Sequence, residues 1–251
     1  IQENEYTCKG GCIETWAPSF TYHGFRYALV WGITEKQATA DLLTYEVMNT
    51  HLPKKGSFHC SDEILNKLQS MTRAATLATF FHIPTDCPHR EKNGWTADAA
   101  LSAEHTLLNF DAVPNYYEWM RHIRAAMTPE GRLPGIVPTA CNWGYDVGPA
   151  WDQIVVTLPY LVYRFTGRKD IVEETLPELW RYVNFLISIT DERGLARTGL
   201  GDWVAPFGER VPLLLTTSVV CMDICEKTAF LFREMGRDAQ ADFCQQTANR
   251  Y

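Results

Sequence analysis

The stretch Pro84-Thr-Asp-Cys-Pro-His-Arg-Glu-Lys-Asn-Gly-Trp-Thr-Ala-Asp-Ala-Ala100 separates two segments of helical periodicity, and its reading decides how the chain is organised. Before it, Ile64, Leu65, Leu68, Met71, Ala75, Leu77 and Ala78 recur at the spacing of one helix face, which predicts a helix over about 62–82. After it, a second helix is expected over about 97–109. A plain connection between two helices needs neither three acids nor a histidine, an arginine and a tryptophan. The stretch is therefore read as a functional loop carried by a helical scaffold.

The same texture continues outward. Pro114 opens a third predicted helix at its favoured first-turn position, and this helix ends near Met127. A fourth is expected over about 150–166, stopped by Gly167, and a fifth over about 170–189. A sixth, over about 214–235, is closed by Gly236, and a seventh follows from about 238 to Tyr251. Helices two and three, four and five, and six and seven are joined by short turns. The other three links run to roughly 14–24 residues, longer than an ordinary connection. Antiparallel neighbours then place all three long loops at one end of the helices. Thr128-Pro-Glu-Gly-Arg-Leu133 also resembles Thr190-Asp-Glu-Arg-Gly-Leu195, about 62 residues on, with two helices in each period. Such an echo is a mark of helical-hairpin repeats, arranged as a solenoid or as a closed α/α toroid. The opening residues read differently. Phe25, Tyr27, Leu29, Trp31 and Ile33 alternate as in a half-buried strand, and so do Leu43, Tyr45 and Val47. The expected division is a β-type segment over 1–55 and a helical unit over 56–251.

Composition excludes several functions. A net charge of −7, with no basic run beyond Lys54-Lys55, argues against a nucleic-acid partner. No apolar span reaches 18 residues, so no membrane insertion is expected. The eight cysteines form neither a disulfide framework nor a zinc pattern. Cys8 and Cys12 flank Lys-Gly-Gly, and Cys221 and Cys225 sit one helical turn apart. Buried free thiols in a reducing compartment fit this usage, but cytoplasm and periplasm both stay open.

Acids beside tryptophans recur in all three long loops. The second loop holds Trp143, Tyr145 and, at its end, Trp151-Asp152; the third holds Gly199-Leu-Gly-Asp202-Trp203. Flat aromatic faces suit the C–H side of a sugar ring, and carboxylates and arginine suit its hydroxyls. Cleaving a glycoside needs one carboxyl group to protonate the leaving oxygen and another to activate water or attack. Glu91 is the candidate acid. Asp86 and Asp98 nearby, with Trp95 as an apolar wall, favour its keeping a proton, and Arg90 opposes this if it points inward. Each residue also has a structural role open to it. Asp98 suits a helix first turn, Asp86 an Asx turn, and Asp202 a turn or cap; Asp152 can simply start a helix. Arg90 can pair with Asp86 or Asp98, His89 can be a hydrogen-bonding support, and Trp95, Trp143 and Trp203 can be core anchors.

With these residues in view, the chain resembles the bacterial α-L-rhamnosidases, inverting glycoside hydrolases with an (α/α)6 catalytic barrel. The family pattern is roughly DCPQRDERLGWTGDA, matched here by Asp86-Cys-Pro-His-Arg-Glu-Lys-Asn-Gly-Trp-Thr-Ala-Asp-Ala99. Pro18-Ser-Phe-Thr-Tyr-His-Gly-Phe-Arg-Tyr27 is similar to the strand region before the barrel, and Gly199-Leu-Gly-Asp-Trp203 is also similar. The resemblance implies a mainly α fold, an incomplete (α/α)6 toroid of helical hairpins preceded by a short β-sandwich remnant. It implies Glu91 as the general acid, with Asp86, Arg90, Trp95 and Asp98 holding rhamnose, and Trp143, Tyr145, Asp202 and Trp203 as further walls. It implies a rhamnose-containing carbohydrate as substrate, no metal and no cofactor. Two departures stand out. The first motif is one residue short, with a single Glu91 where the family has an Asp-Glu pair. Pro149-Ala-Trp-Asp-Gln153 carries its acid one place earlier than the family's Pro-Ala-Trp-Gly-Asp. About seven helices are expected against the family's twelve, so the resemblance places the general base, and the remainder of the barrel, outside these 251 residues. Rival readings remain at this level. Another α/α-toroid glycosidase would cleave a different sugar, a polysaccharide lyase of the same fold class would use His89 or Tyr145 as base, and a carbohydrate-binding protein would keep the pocket without turnover.

Overall fold

The computed structural model describes residues 2–139, 144–208 and 210–251. Helix α1 spans Glu63–Ala78, α2 Thr96–Asn109 and α3 Val113–Ala126. They are followed by α4 at Pro149–Asp152, α5 at Ile154–Thr166, α6 at Asp170–Ser188, α7 at Leu213–Glu234 and α8 at Asp238–Ala248. A two-residue hairpin, β1 (Phe80–Phe81) against β2 (Ile83–Pro84), follows α1.

Local chemistry sets most of these ends. Asp62 caps α1, its side chain accepting from the Ile64 and Leu65 amides. Gly167 closes α5 in the left-handed conformation at φ 70°, its amide donating to the Tyr163 carbonyl. α1 stops at Ala78, short of the expected 82, because Phe80–Phe81 turns into the hairpin about His82, whose φ is +67°. The expected fourth helix divides into α4 and α5. Gln153 joins them with right-handed helical backbone at φ −51° and ψ −19°, and its side-chain amide donates to the Ala150 carbonyl at 2.8 Å.

The core runs through the hairpins. Trp119, Tyr116 and Met120 of α3, Leu107 of α2, Leu158 of α5, Leu179, Tyr182 and Leu186 of α6 and Ile224 of α7 are all buried. α5 packs against α2, α3, α6 and α7, and its Ile154, Val155, Val156, Leu158 and Val162 are buried on every side. Burying each such side chain stabilises the fold by roughly 1.5–3 kcal/mol. α1 is the opposite case. Only its Thr76 is buried, while Ile64, Leu65, Leu68 and Met71 stay exposed on its surface.

The three long loops meet one another at one end. Val137 donates to the Gly94 carbonyl at 2.9 Å, joining the first loop to the second. Leu200 donates to the Val147 carbonyl at 2.9 Å, joining the second to the third. The sequence echo marks a true structural repeat with a register of 63 residues. Thr128 N–H donates to the Arg132 carbonyl and Gly131 N–H to the Thr128 carbonyl; Asp191, Leu195 and Gly194 make the same two bonds in the same order. The glycine of each turn has positive φ, 96° at Gly131 and 79° at Gly194.

The amino-terminal segment departs from expectation. No strand occurs in the described residues before Lys54, which forms an isolated bridge with Phe110. Phe25, Tyr27, Leu29, Trp31, Leu43, Tyr45 and Val47 are exposed. Alternation puts these side chains on a common face, but a strand exists only through ladder hydrogen bonds to a neighbour. Among the described residues no segment pairs with 25–33 or 43–47.

Candidate active site

The loop from Thr85 to Trp95 is closed on itself by its own polar groups. Asp86 N–H donates to the Asn93 carbonyl at 3.0 Å, and Asn93 N–H returns a bond to Asp86 Oδ1 at 2.9 Å. The other carboxylate oxygen, Oδ2, accepts from Cys87 Sγ at 2.9 Å, and that sulfur accepts from the Glu91 amide at 3.3 Å. Asp86 thus accepts from an amide seven residues on, a longer closure than the expected Asx turn, which reaches only two residues on. Its carboxylate holds the loop shut, and Lys92, at φ +57°, completes the reversal.

This closure brings Glu91 and Trp95 together. Trp95 Nε1 donates to Glu91 Oε2 at 2.8 Å, and the Glu91 side chain stands at the surface, open to an incoming molecule. Trp95 leads directly into α2, so Asp98 lies in the first turn of that helix. The Asp98 carboxyl is pushed above the ordinary aspartate range, first by desolvation and then by the negative charges of Asp86 and Glu91. Asp98 therefore lies close enough to Asp86 and Glu91 to feel their charge. His89 and Arg90 are exposed, and Arg90 has no ion-pair partner among the described residues, so its charge is available. The expected pairing of Arg90 with Asp86 or Asp98 does not form.

The second loop supports the first. Thr96 N–H donates to the Gly135 carbonyl at 2.8 Å, Trp95 bridges Ile136, and Trp119 Nε1 donates to the Val137 carbonyl at 2.9 Å. A side chain at Gly94 would meet the Val137 carbonyl oxygen at 2.1 Å, so this close approach requires glycine. The third loop joins at Gly148 and Gly199, where a Cβ on Gly148 would lie 2.6 Å from the Gly199 Cα.

Tyr145 and Asp202 each bond to backbone groups of the scaffold. The Tyr145 hydroxyl donates to the Ala126 carbonyl at 3.0 Å, tying the second loop to the end of α3, and Arg132 lies over its ring. Asp202 Oδ2 accepts from the Val211 amide at 3.1 Å and closes the third loop, with Trp203 exposed beside it. Trp143 lies outside the described residues. Asp152 is buried at the end of α4, and burial holds its carboxyl well above the usual range. Among the described residues no group of three or more His, Cys, Asp or Glu side chains is placed to hold a metal ion.

One part of the site had no sequence signal. Tyr22 stacks on Phe81 with ring centroids 3.7 Å apart, and the Lys92 ammonium sits 4.5 Å over the Tyr22 ring. Seventy residues separate Tyr22 from Lys92, and neither shows a periodicity that would pair them.

Comparison with known proteins decides the family. The model of the bacterial alpha-L-rhamnosidase 6 hairpin glycosidase domain matches residues 53–251, and that of the bacterial alpha-L-rhamnosidase concanavalin-like domain matches residues 1–49. The chain belongs to the bacterial α-L-rhamnosidase family. Among its rhamnosidase relatives, an alpha-L-rhamnosidase of Formosa agariphila is 35% identical over 82% of this chain. One of Streptomyces avermitilis is 31% identical over 93% of it. The chain spans only 22% of the length of each of these relatives. Two solved rhamnosidases share the fold. The alpha-L-rhamnosidase of Dictyoglumus thermophilum superposes with a TM-score of 0.74 at 28% identity, covering 80% of this chain and 23% of that one. The Streptomyces avermitilis enzyme in complex with L-rhamnose superposes with a TM-score of 0.75 at 25% identity, covering 80% and 19%. The rhamnosidase domain here is accordingly a mainly helical part of a six-hairpin glycosidase barrel.

Proposed function

We propose that this chain supplies the acid side of an α-L-rhamnosidase active site, in a protein that removes terminal α-L-rhamnose from glycosides or polysaccharides with inversion. The carrying observation is the Glu91–Trp95 pair: an exposed carboxyl group held by an indole N–H, beside two further carboxyl groups. Glu91 protonates the glycosidic oxygen as the bond breaks. Asp98 and Arg90 bind the sugar hydroxyls, Asp86 shapes the loop that presents them, and Trp95 offers its face to the ring. Trp143, Tyr145, Asp202 and Trp203 form outer walls contributed by the other two loops. A general base outside these 251 residues activates the water, and the rest of the barrel covers the exposed apolar face of α1 at Ile64, Leu65, Leu68 and Met71. The division into a β-type segment, 1–55, and a helical unit, 56–251, belongs to the same proposal, and the two family matches support it.

The test is hydrolysis of an aryl α-L-rhamnoside by the full-length protein, with the configuration of the first-formed sugar read by NMR. The expected product is β-L-rhamnose. The expected Glu91→Gln variant binds rhamnose but turns over about 10²–10⁴-fold more slowly. Unchanged turnover in that variant, or an eliminated, unsaturated sugar as product, overturns the assignment. The 251-residue chain alone is expected to hydrolyse the substrate very slowly or not at all.

A further inference from the structure

Glu91 lies between two residues that the amino-terminal segment grips. On one side is Pro88, which packs against Gly24 so closely that a Cβ there would lie 2.9 Å from the proline Cγ and 3.0 Å from its backbone carbonyl carbon. On the other side is Lys92. Its ammonium donates to the Tyr22 carbonyl at 2.5 Å and rests over the Tyr22 ring, which itself stacks on Phe81 of β1. The gripping segment is fixed in turn. The Gln2 side chain donates to the Gly24 carbonyl at 2.8 Å and accepts from the Gly24 amide at 2.9 Å, and Asn4 reaches the His23 ring at 2.9 Å. Lys92 is also one of the few non-glycine residues with positive φ. Such a backbone conformation persists only where surrounding contacts hold it. The contacts that hold the Lys92 side chain come from Tyr22.

We propose that residues 22–24 are a clamp on the catalytic loop, with Tyr22 and Lys92 as positioning residues that fix Glu91 through the backbone on either side of it. The proposal rests on the rhamnosidase reading above. The clamp acts on the orientation of the acid and touches no sugar, so it should be felt in turnover and not in binding.

The experiment uses the full-length protein and an aryl α-L-rhamnoside. Tyr22→Leu and Lys92→Met are each expected to lower kcat about tenfold, with KM kept within about twofold. Lys92→Met removes both contacts with Tyr22, the carbonyl bond and the ring contact, and Tyr22→Leu removes only the ring contact, so the double variant should lose about tenfold as well, not a hundredfold. Tyr22→Phe, which keeps the ring, and Lys92→Arg, which keeps the cation, should each recover most of the loss. Single variants with wild-type kcat, a loss carried in KM, or losses that multiply in the double variant overturn the clamp. Limited trypsin digestion separates this outcome from failure of the functional reading. Cleavage after Arg90 and Lys92 should be faster in Tyr22→Leu than in the wild type whatever the substrate. Equal cleavage rates overturn the clamp even in an active enzyme. A wild type inactive on every rhamnoside, with the cleavage difference present, removes the rhamnosidase reading and leaves the clamp standing.

Discussion

Of the places where the molecule sets an acid near a tryptophan, two end in opposite environments. In the loop 84–95, Glu91 stands at the surface and its carboxylate accepts the Trp95 indole N–H at 2.8 Å. At the end of α4, Trp151 and Asp152 are both buried, and Asp152 Oδ1 has no hydrogen-bond partner among the described residues. Desolvation holds the Asp152 carboxyl well above the ordinary range; the charge of Asp146 adds to this and Arg132 opposes it. The Tyr182 hydroxyl is likewise buried without a described partner. An acid beside a tryptophan is thus no site in itself. A carboxyl group must be reachable to meet a substrate, and reach is decided by how far the loop stands out from the helices behind it.

Exchanging each acid for its amide is the strongest way to break this contrast. In the full-length protein, Glu91→Gln should cost about 10²–10⁴-fold in kcat. Asp152→Asn should leave kcat within about twofold of wild type. Comparable losses in the two variants would mean that Asp152 reaches the substrate after all. A smaller effect sharpens the role of the indole. Trp95→Phe keeps an aromatic face but removes the donor to Glu91, and a hydrogen bond of about 1 kcal/mol corresponds to roughly a fivefold fall in kcat. An unchanged rate would show that the indole N–H is dispensable for orienting the acid.

The smallest effect is read in stability. In the folded protein Asp152 keeps its proton at pH values where the unfolded chain has lost it. The folded state therefore binds more protons above about pH 4, and its stability falls as pH rises through the window between the unfolded and the raised folded pKa. Asp152→Asn removes this dependence. Its melting temperature should equal that of the wild type near pH 4 and exceed it by several degrees at pH 8. A gap that does not widen with pH would show that Asp152 is solvated or ion-paired.

Most of the helical scaffold was legible because its signals are local. Asp62, Pro114, Gly167 and Gly236 lie at or next to helix ends, and the repeat of Thr128–Leu133 in Thr190–Leu195 reports the same turn twice. The acid cluster at 86–98 was legible for the same reason, since its members lie within one loop and the following turn of helix. Roles that depend on a distant partner were not. The Tyr145 hydroxyl bonds to the Ala126 carbonyl and the Asp202 carboxylate accepts from the Val211 amide, partners that the reading of both residues as pocket walls did not include.

The amino acid sequence alone determined where most of the helices lie, because a helix satisfies its backbone within four residues and its caps lie next to it. It also determined which loop carries the acids. Tertiary structure alone decided that the alternating stretches at 25–33 and 43–47 form no ladder, that Asp152 is buried, and that Tyr22 lies on Lys92. Each of these depends on a neighbour brought in from far along the chain, and periodicity in one segment holds no information about what comes to lie beside it.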